Sequence, residues 1–433
     1  MSLLQPSQDQ SDALDGICDI LLNTPLHQSG VAVLTGSAGT GKSTVLRELV
    51  DRVERCAPPL TVHLAATTHR AADVLRQIIG RPVSTGYSLF KLRPSVTKYG
   101  NPTIISTGPL TIAYGSVVII DEASMIGNKF LEAIVEIVKR LALKVVFVGD
   151  PFQLAPPQDS CSIFDGSLPT FALTQIHRQA GGNPLIDKAN EFREFIQGLR
   201  PEMPTVTTQL NAAGEGIHVL PHGDFVSKFV SKYADYNAGD DIDMPLCTYT
   251  NDSAIGYNTM IRKAAYFLEG TVKPFYEGER LLSNTSVMVG EQQLLSNNEI
   301  VHVISYAKAT VNDIPGYTVA VKGEFTPRLR TDEKTIFVPL NKAAADKVLD
   351  EYMLLAKQGK SRGWLKYYTL KNSLADLRPP FAGTTHKAQG GTFPAVFIDK
   401  TNIDKCHLAS IKARLLYVAL TRATTNAYVN SSH

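Results

Sequence analysis

GSAGTGKS occupies residues 36–43, directly after the apolar run VAVLT (31–35) and directly before a segment whose Leu46, Leu49, Val50 and Val53 recur at helical spacing. A glycine-rich turn between strand and helix, closed by Lys-Ser, is the phosphate-cradling loop of nucleoside triphosphatases. Glycines at 36, 39 and 41 allow backbone angles that aim successive N–H groups at phosphate oxygens. The helix N-terminus adds the positive end of its dipole. Gly36, Ala38, Gly39, Thr40, Gly41, Lys42, Ser43 and Thr44 are therefore expected to bind nucleotide. Lys42 would reach the β- and γ-phosphates, and the Ser43 hydroxyl would bind Mg²⁺. A chance glycine-rich turn is the bland reading; a strand on one side and a helix on the other argue against it. The loop implies triphosphate turnover and is silent on what the energy drives.

Working outward, VHLAA (62–66), VVII (117–120) and VVFV (145–148) are apolar at every position. Such runs suit strands buried on both faces, as in a parallel sheet. A helical pattern carrying Ala71, Val74, Leu75 and Ile78 follows the first of them. Residues 1–170 thus read as one doubly wound α/β domain. A polar segment rich in Pro, Gly, Thr and Tyr interrupts it at 86–113. PLCTYT (245–250), AVFID (395–399) and a helix-like run at 408–420 resume the pattern. Between them, across 281–377, SVMV, IVHVISY, YTVAV and TIFVPL are short strand-like runs, followed by a clear helix over 341–358. This block reads as a small β-rich module inserted into a second α/β domain.

The chain has 433 residues, enough for two or three domains. Its 43 basic and 41 acidic residues leave a net charge of +2, which neither demands nor excludes a polyanionic partner. No run approaches the roughly 20 apolar residues of a membrane span. The first residues lack a signal-peptide pattern, so a cytoplasmic setting is expected, that of the host if a phage encodes the chain. The five cysteines are scattered, none at metal-ligand spacing, and read as buried thiols.

VVIIDEASM (117–125) ends an apolar strand with two acids. Asp121 would hold Mg²⁺, and Glu122 would accept a proton from the attacking water. A strand ending in a solvated acidic turn is the competing reading. VVFVGDPFQLAPP (145–157) places Gln153 where a neutral amide can bond both a γ-phosphate oxygen and the water. Arg178 in LTQIHRQ and Arg422 in LLYVALTRA carry permanent charge that forks onto phosphate oxygens. Supplied from a second domain, they would complete the site on closure. Periodicity alone does not select these two arginines.

Taken together these segments resemble the superfamily-1 helicases, in the Dda-like, RecD-related branch found in bacteriophages. GSAGTGKS resembles motif I, LAATTHRAADVL (64–75) motif Ia, DEASM motif II, GDPFQLAPP motif III and LTQIHRQ motif IV. YTNDSAIGYN (249–258) is similar to a following family segment, TTHKAQGGT (384–392) to motif V and LYVALTRA (416–423) to motif VI. The resemblance implies two RecA-like P-loop domains, one over 1–85 and 114–176, the other over 177–280 and 378–433. It also implies a small wedge at 86–113 and an SH3-like insertion at 281–377. ATP and Mg²⁺ would be used, and single-stranded and forked duplex DNA bound. One chain would suffice, with 5′-to-3′ travel.

The same resemblance distributes roles. Gln10 would read the adenine, with Gln8 as competitor; Gln389 would lie near the γ-phosphate; Arg178 and Arg422 would be arginine fingers. Thr68, His69, Thr85, Tyr87, Asn251, Thr385, His386 and Lys387 would line the nucleic-acid track, where hydroxyls and N–H groups hold phosphates without reading sequence. His69 and His386 also read as structural hydrogen-bonders. The family often has histidine where this chain has Tyr87. The turn TKYGNP (97–102) would carry Tyr99 near the wedge tip, to stack on the last base pair. Trp364, Tyr367 and Tyr368 read as core. Two rival functions are a translocase that strips proteins from DNA with little unwinding, and a metabolic P-loop kinase. The latter would have no use for segments resembling motifs V and VI so far beyond the cradle.

Overall fold

The computed structural model describes residues 6–56, 59–96, 102–156, 159–175, 182–233, 246–266, 272–290, 292–323, 333–358 and 363–431. Arg178 and Tyr99 lie outside these residues. The chain forms two compact units. The first holds residues 1–95, 102–219 and 388–429, and the second holds most of the remainder.

The first unit begins with α1 (Gln8–Asn23), β1 (Gly30–Gly36), α2 (Lys42–Arg55), β2 (Val62–Ala66), α3 (His69–Ile79), β3 (Val83–Thr85) and the short α4 (Gly86–Leu89). A two-stranded piece follows, β4 (Leu92–Val96) with β5 (Pro102–Ser106), then β6 (Val117–Asp121), α5 (Asn128–Arg140), β7 (Lys144–Gly149) and β8 (Thr170–Leu173). Six strands pair in the order β3-β2-β6-β7-β1-β8, all parallel. The continuous apolar runs have a simple cause: alternate residues feed two cores. Ala32, Leu34, Val117, Ile119, Val146 and Val148 pack against α1, α2 and α3. Val33, Val118, Ile120, Val145 and Phe147 pack on the other face, with Phe130, Ile134 and Ile137 of α5. Phe90, Leu92, Ile104 and Ile112 join that second core, so the β4–β5 piece is rooted in it. Then come α6 (Pro184–Ile196), β9 (Gln209–Leu210) and β10 (Gly216–Pro221).

The second unit holds α7 (His222–Tyr233), β11 (Leu246–Thr248), α8 (Asn251–Tyr266) and β12 (Arg280–Ser283). After β13 (Val287–Val289) and β14 (Gln292–Leu295) come the long β15 (Ile300–Val311) and β16 (Ile314–Gly323), then β17 (Glu333–Pro339). The helices α9 (Lys342–Lys357) and α10 (Gly363–Ser373) precede β18 (Leu377–Arg378), β19 (Ala382–Thr384) and α11 (Thr385–Ala388). A five-stranded sheet runs β17-β16-β15-β12-β18, with antiparallel neighbours. Asn312 and Asp313 turn the β15–β16 hairpin, both at positive φ (48° and 62°), as a two-residue turn matched to strand twist requires. Val301, Val303, Val319, Val321 and Ile336 form its core. Ile314 and Phe337 bury against Ala345, Leu349 and Leu370 of α9 and α10. Separately, β11 and β19 pair in parallel. The buried Asn258 of α8 brackets Ala382, donating to its carbonyl and accepting from its N–H at 2.9 Å each.

The chain then returns to the first unit with β20 (Phe393–Ile398), α12 (Lys400–Ile403), α13 (Ala409–Arg422) and β21 (Ala423–Ser431). β20 and β21 pair in parallel, and β10 and β9 continue beyond β21. Helix α13 is buried from Leu415 through Leu420 and packs along α6. A helix apolar around most of its circumference belongs inside a core, not on a surface.

If the two-faced sheet organises the first unit, Ile119→Ala should lower its stability by about 2–5 kcal/mol. The check is a shift of the denaturant midpoint with an unchanged slope.

Candidate nucleotide site and nucleic-acid track

The cradle connects β1 to α2. Gly39 and Gly41 sit at φ 88° and 83°, where a side chain would strain the backbone. Gly41 heads α2 and its carbonyl accepts from the Thr44 N–H at 2.9 Å, while the amides before Thr44 precede any intrahelical acceptor, as at any helix start. Lys42 folds over the loop, its Nζ donating to the carbonyls of Gly36 (2.6 Å) and Ser37 (3.1 Å). The Thr40 hydroxyl donates to the Ser37 carbonyl, and the buried Gln10 donates from Nε2 to the Thr40 carbonyl at 3.0 Å. Gln10 Oε1 accepts from the Ser7 N–H, so its amide both caps α1 and anchors the loop. Gln8 is exposed and bonded to Asp12 instead. Ser43 is half-buried and Thr44 exposed, with Ala38 on the wall of an adjacent pocket.

Asp121 closes β6 beside this loop, and its Oδ1 accepts from the Glu122 N–H at 2.8 Å. Burial, then the neighbouring Glu122 charge, raises the Asp121 carboxyl well above its ordinary range, and Lys42 only partly offsets this. A carboxylate so placed is short of positive charge. Its carboxylate and the Ser43 hydroxyl are both hard-oxygen donors of the type Mg²⁺ takes. Glu122 adopts φ 53°, in the left-handed region. A non-glycine residue there costs on the order of 1–3 kcal/mol and persists only where its surroundings hold it. The Thr67 hydroxyl does so by donating to the Glu122 carbonyl, as does the single 3₁₀ turn at Ala123–Met125.

The segment after β7 meets the returning chain. Gln389 donates from Nε2 to Gln153 Oε1 and to the Leu154 carbonyl, both at 3.2 Å and buried. Gln389 Oε1 is buried without a hydrogen-bond partner among the described residues. Two further contacts clamp the same loop. The Tyr417 hydroxyl donates to Asp150 Oδ2 at 2.6 Å, and Arg414 donates to the carbonyls of Pro151 (2.7 Å) and Gln153 (2.9 Å). Asp150, Arg414 and Tyr417 were not singled out from the sequence. Asp150 and Tyr417 stand inside quoted motifs, but nothing local shows that they meet. Arg422 is buried, donating from NH1 to the Gly391 carbonyl at 3.1 Å and from Nε to the Val418 carbonyl at 3.3 Å. A narrow pocket joins Ser37 and Ala38 of the cradle to Thr421 and Ala423, the two neighbours of Arg422.

The expected track residues fall at helix starts beyond parallel strands. Thr68 and Thr85 cap α3 and α4, their side-chain oxygens accepting from Ala71 (3.1 Å) and Ser88 (3.2 Å). Each hydroxyl keeps its proton for another acceptor. His69 is exposed at the first position of α3. Tyr87 is half-buried and stacks on Phe130, with ring centroids 3.9 Å apart, so one of its faces is already used. In the second unit Asn251 opens α8 and is exposed. Thr385 is wholly buried, its hydroxyl donating to the Thr248 carbonyl at 3.1 Å. Burial pushes the His386 imidazole down, which keeps it neutral at pH 7. The Lys387 ammonium bonds Asn284 Oδ1.

Comparison with known proteins gives the family. Residues 9–219 match the family described as AAA domain, and residues 380–429 the UvrD-like helicase C-terminal domain. The chain is 24% identical over 456 aligned positions to the ATP-dependent DNA helicase dda of Enterobacteria phage T4, covering 97% of this chain and 99% of that protein. It is 32% identical over 186 residues to the ATP-dependent RecD2 DNA helicase of Deinococcus radiodurans, covering 42% of this chain but only 23% of that longer protein. Its fold is similar to that of the Pif1 helicase from Candida albicans, with TM-score 0.50 and 18% identity, covering all of this chain and 95% of that one. With the cradle at the end of β1, the paired acids at the end of β6 two strands away in the same sheet, and residues 388–429 holding the loop after the intervening β7, the chain belongs to the superfamily-1 helicases.

Proposed function

We propose that this protein is an ATP-dependent DNA helicase that moves 5′-to-3′ on single-stranded DNA and separates forked duplexes as a single chain. One observation carries the reading. The loop after β7, which bears Gln153, is held by Gln389, Arg414 and Tyr417 from the segment that also bears Arg422. A metabolic kinase has no use for such a link; a motor needs nucleotide state to reach a distant element. The agreement with dda along nearly its full length supports the same reading.

Within it, the cradle amides and Lys42 hold the β- and γ-phosphates. Ser43 and Asp121 would hold Mg²⁺, which when bound neutralises phosphate charge. Glu122 takes the proton of the attacking water, and Gln153 orients that water. Arg422, with Arg178, answers the developing phosphate charge. The first RecA-like domain is assigned to 1–85 and 114–176 and the second to 177–280 and 378–433. The β4–β5 piece serves as wedge, and the β-rich block over 281–377 as an SH3-like insertion. Thr68, His69, Thr85, Asn251, His386 and Lys387 hold backbone phosphates, so affinity is salt-sensitive and tolerant of sequence.

ATP turnover by the purified chain should rise severalfold or more with single-stranded DNA, and a rate indifferent to DNA would exclude a motor. Forked duplexes with only a 5′ tail should unwind and those with only a 3′ tail should not. Lys42→Ala should abolish turnover, as should chelation of divalent cations. Glu122→Gln should retain ATP binding while turnover falls about 10²–10⁴-fold, the usual worth of a general base; near-normal turnover would remove Glu122 from that role.

A further inference from the structure

A chain of side chains in the second unit ties two of the track residues to the β-rich sheet. Lys387 donates to Asn284 Oδ1, just past β12. Asn284 donates from Nδ2 to Asp376 Oδ2 and from its backbone N–H to the Asp376 carbonyl, both at 2.7 Å. Asp376 grips one edge of Arg378, accepting from Nε at 2.9 Å and NH2 at 2.6 Å. The remaining nitrogen, NH1, donates to Asn251 Oδ1 at 3.0 Å, at the start of α8.

The charges in this cluster do not balance. Lys387 and Arg378 are cationic and Asp376 is the one carboxylate the chain of contacts contains. That carboxylate is spent on Arg378; among the described residues Lys387 has an amide oxygen and no carboxylate. Burial first, then the Arg378 charge, pushes the lysine ammonium down to about 8, and Asp376 offsets this only weakly. A half-buried ammonium and a fixed guanidinium that share one carboxylate leave an excess of positive charge suited to an external anion. Asp376 supplies the rigidity: a guanidinium held at two points on one edge presents its other edge in one direction.

We propose that Arg378 is a phosphate-binding residue of the nucleic-acid track, clasping one backbone phosphodiester together with Lys387 and positioned by Asp376. The proposal rests on the helicase reading above. It gives the β-rich sheet a direct share in the track, because Asn284, Asp376 and Arg378 lie at the ends of β12 and β18.

The test is binding of a labelled oligothymidylate to the full chain by fluorescence anisotropy, repeated over about a tenfold range of salt. Each phosphate contact on a single strand contributes about 0.7 to the slope of log affinity against log salt. Arg378→Gln should weaken binding severalfold at low salt and reduce that slope by about 0.7. Arg378→Lys should restore most of the slope, which a misfolded variant could not do. An undiminished slope in Arg378→Gln, whatever its affinity, would overturn the clasp alone. Failure of the unsubstituted chain to bind would overturn the helicase reading as well.

Discussion

A parallel sheet buried on both faces leaves its polar chemistry one place to go, the loops at the carboxyl ends of its strands. The candidate groups that the strands of the first unit carry follow from that constraint. β1 ends in the phosphate cradle, β6 in Asp121 and Glu122, β7 in Asp150 and Gln153, and β2 and β3 in the caps Thr68 and Thr85. The strands need only be apolar and in register; the register then brings their ends to one edge. Val31 opposite Val145 and Val117 opposite Lys144 set the cradle, the loop after β7 and the acids side by side.

The second device is the return of residues 388–429 to this unit. Helix α13 lies buried along α6 and delivers Arg414 and Tyr417 to the loop after β7. A tyrosine hydroxyl on a buried carboxylate and a guanidinium on two carbonyls are directional contacts, and such contacts transmit a change of position better than apolar packing does. Leaving any of these polar groups unpaired in the interior carries a desolvation cost of about 1–3 kcal/mol. The loop therefore has strong reason to follow its partners.

The second unit shows the same economy at the proposed track. Asn258 and Thr385 spend their polar groups on tying α8, β11 and β19 together, and the exposed Asn251 is left at the helix start. In the antiparallel sheet Arg378 ends the edge strand β18 and Asp376 stands just before it, so the proposed clasp lies at the edge of that sheet.

Much was legible in the sequence because it is local. VHLAA is a strand over the residues expected, and the runs at 31–35, 117–120 and 145–148 sit within strands one or two residues longer. Burial on both faces forces uninterrupted apolar runs, and those are visible without a structure. The cradle is equally local, since its glycines, lysine and serine act within eight residues. What tertiary structure decided is of two kinds. Long-range pairings such as Tyr417 with Asp150, 267 residues apart, leave no periodic trace. Competing uses of one side chain are also invisible beforehand: Thr385 turns its hydroxyl inward, Tyr87 lends a face to Phe130, and Glu122 takes a left-handed conformation normally reserved for glycine. Sequence determines which groups are present and their local backbone preferences. Only packing decides which partner each group meets, because that depends on distances the chain sets after it has folded.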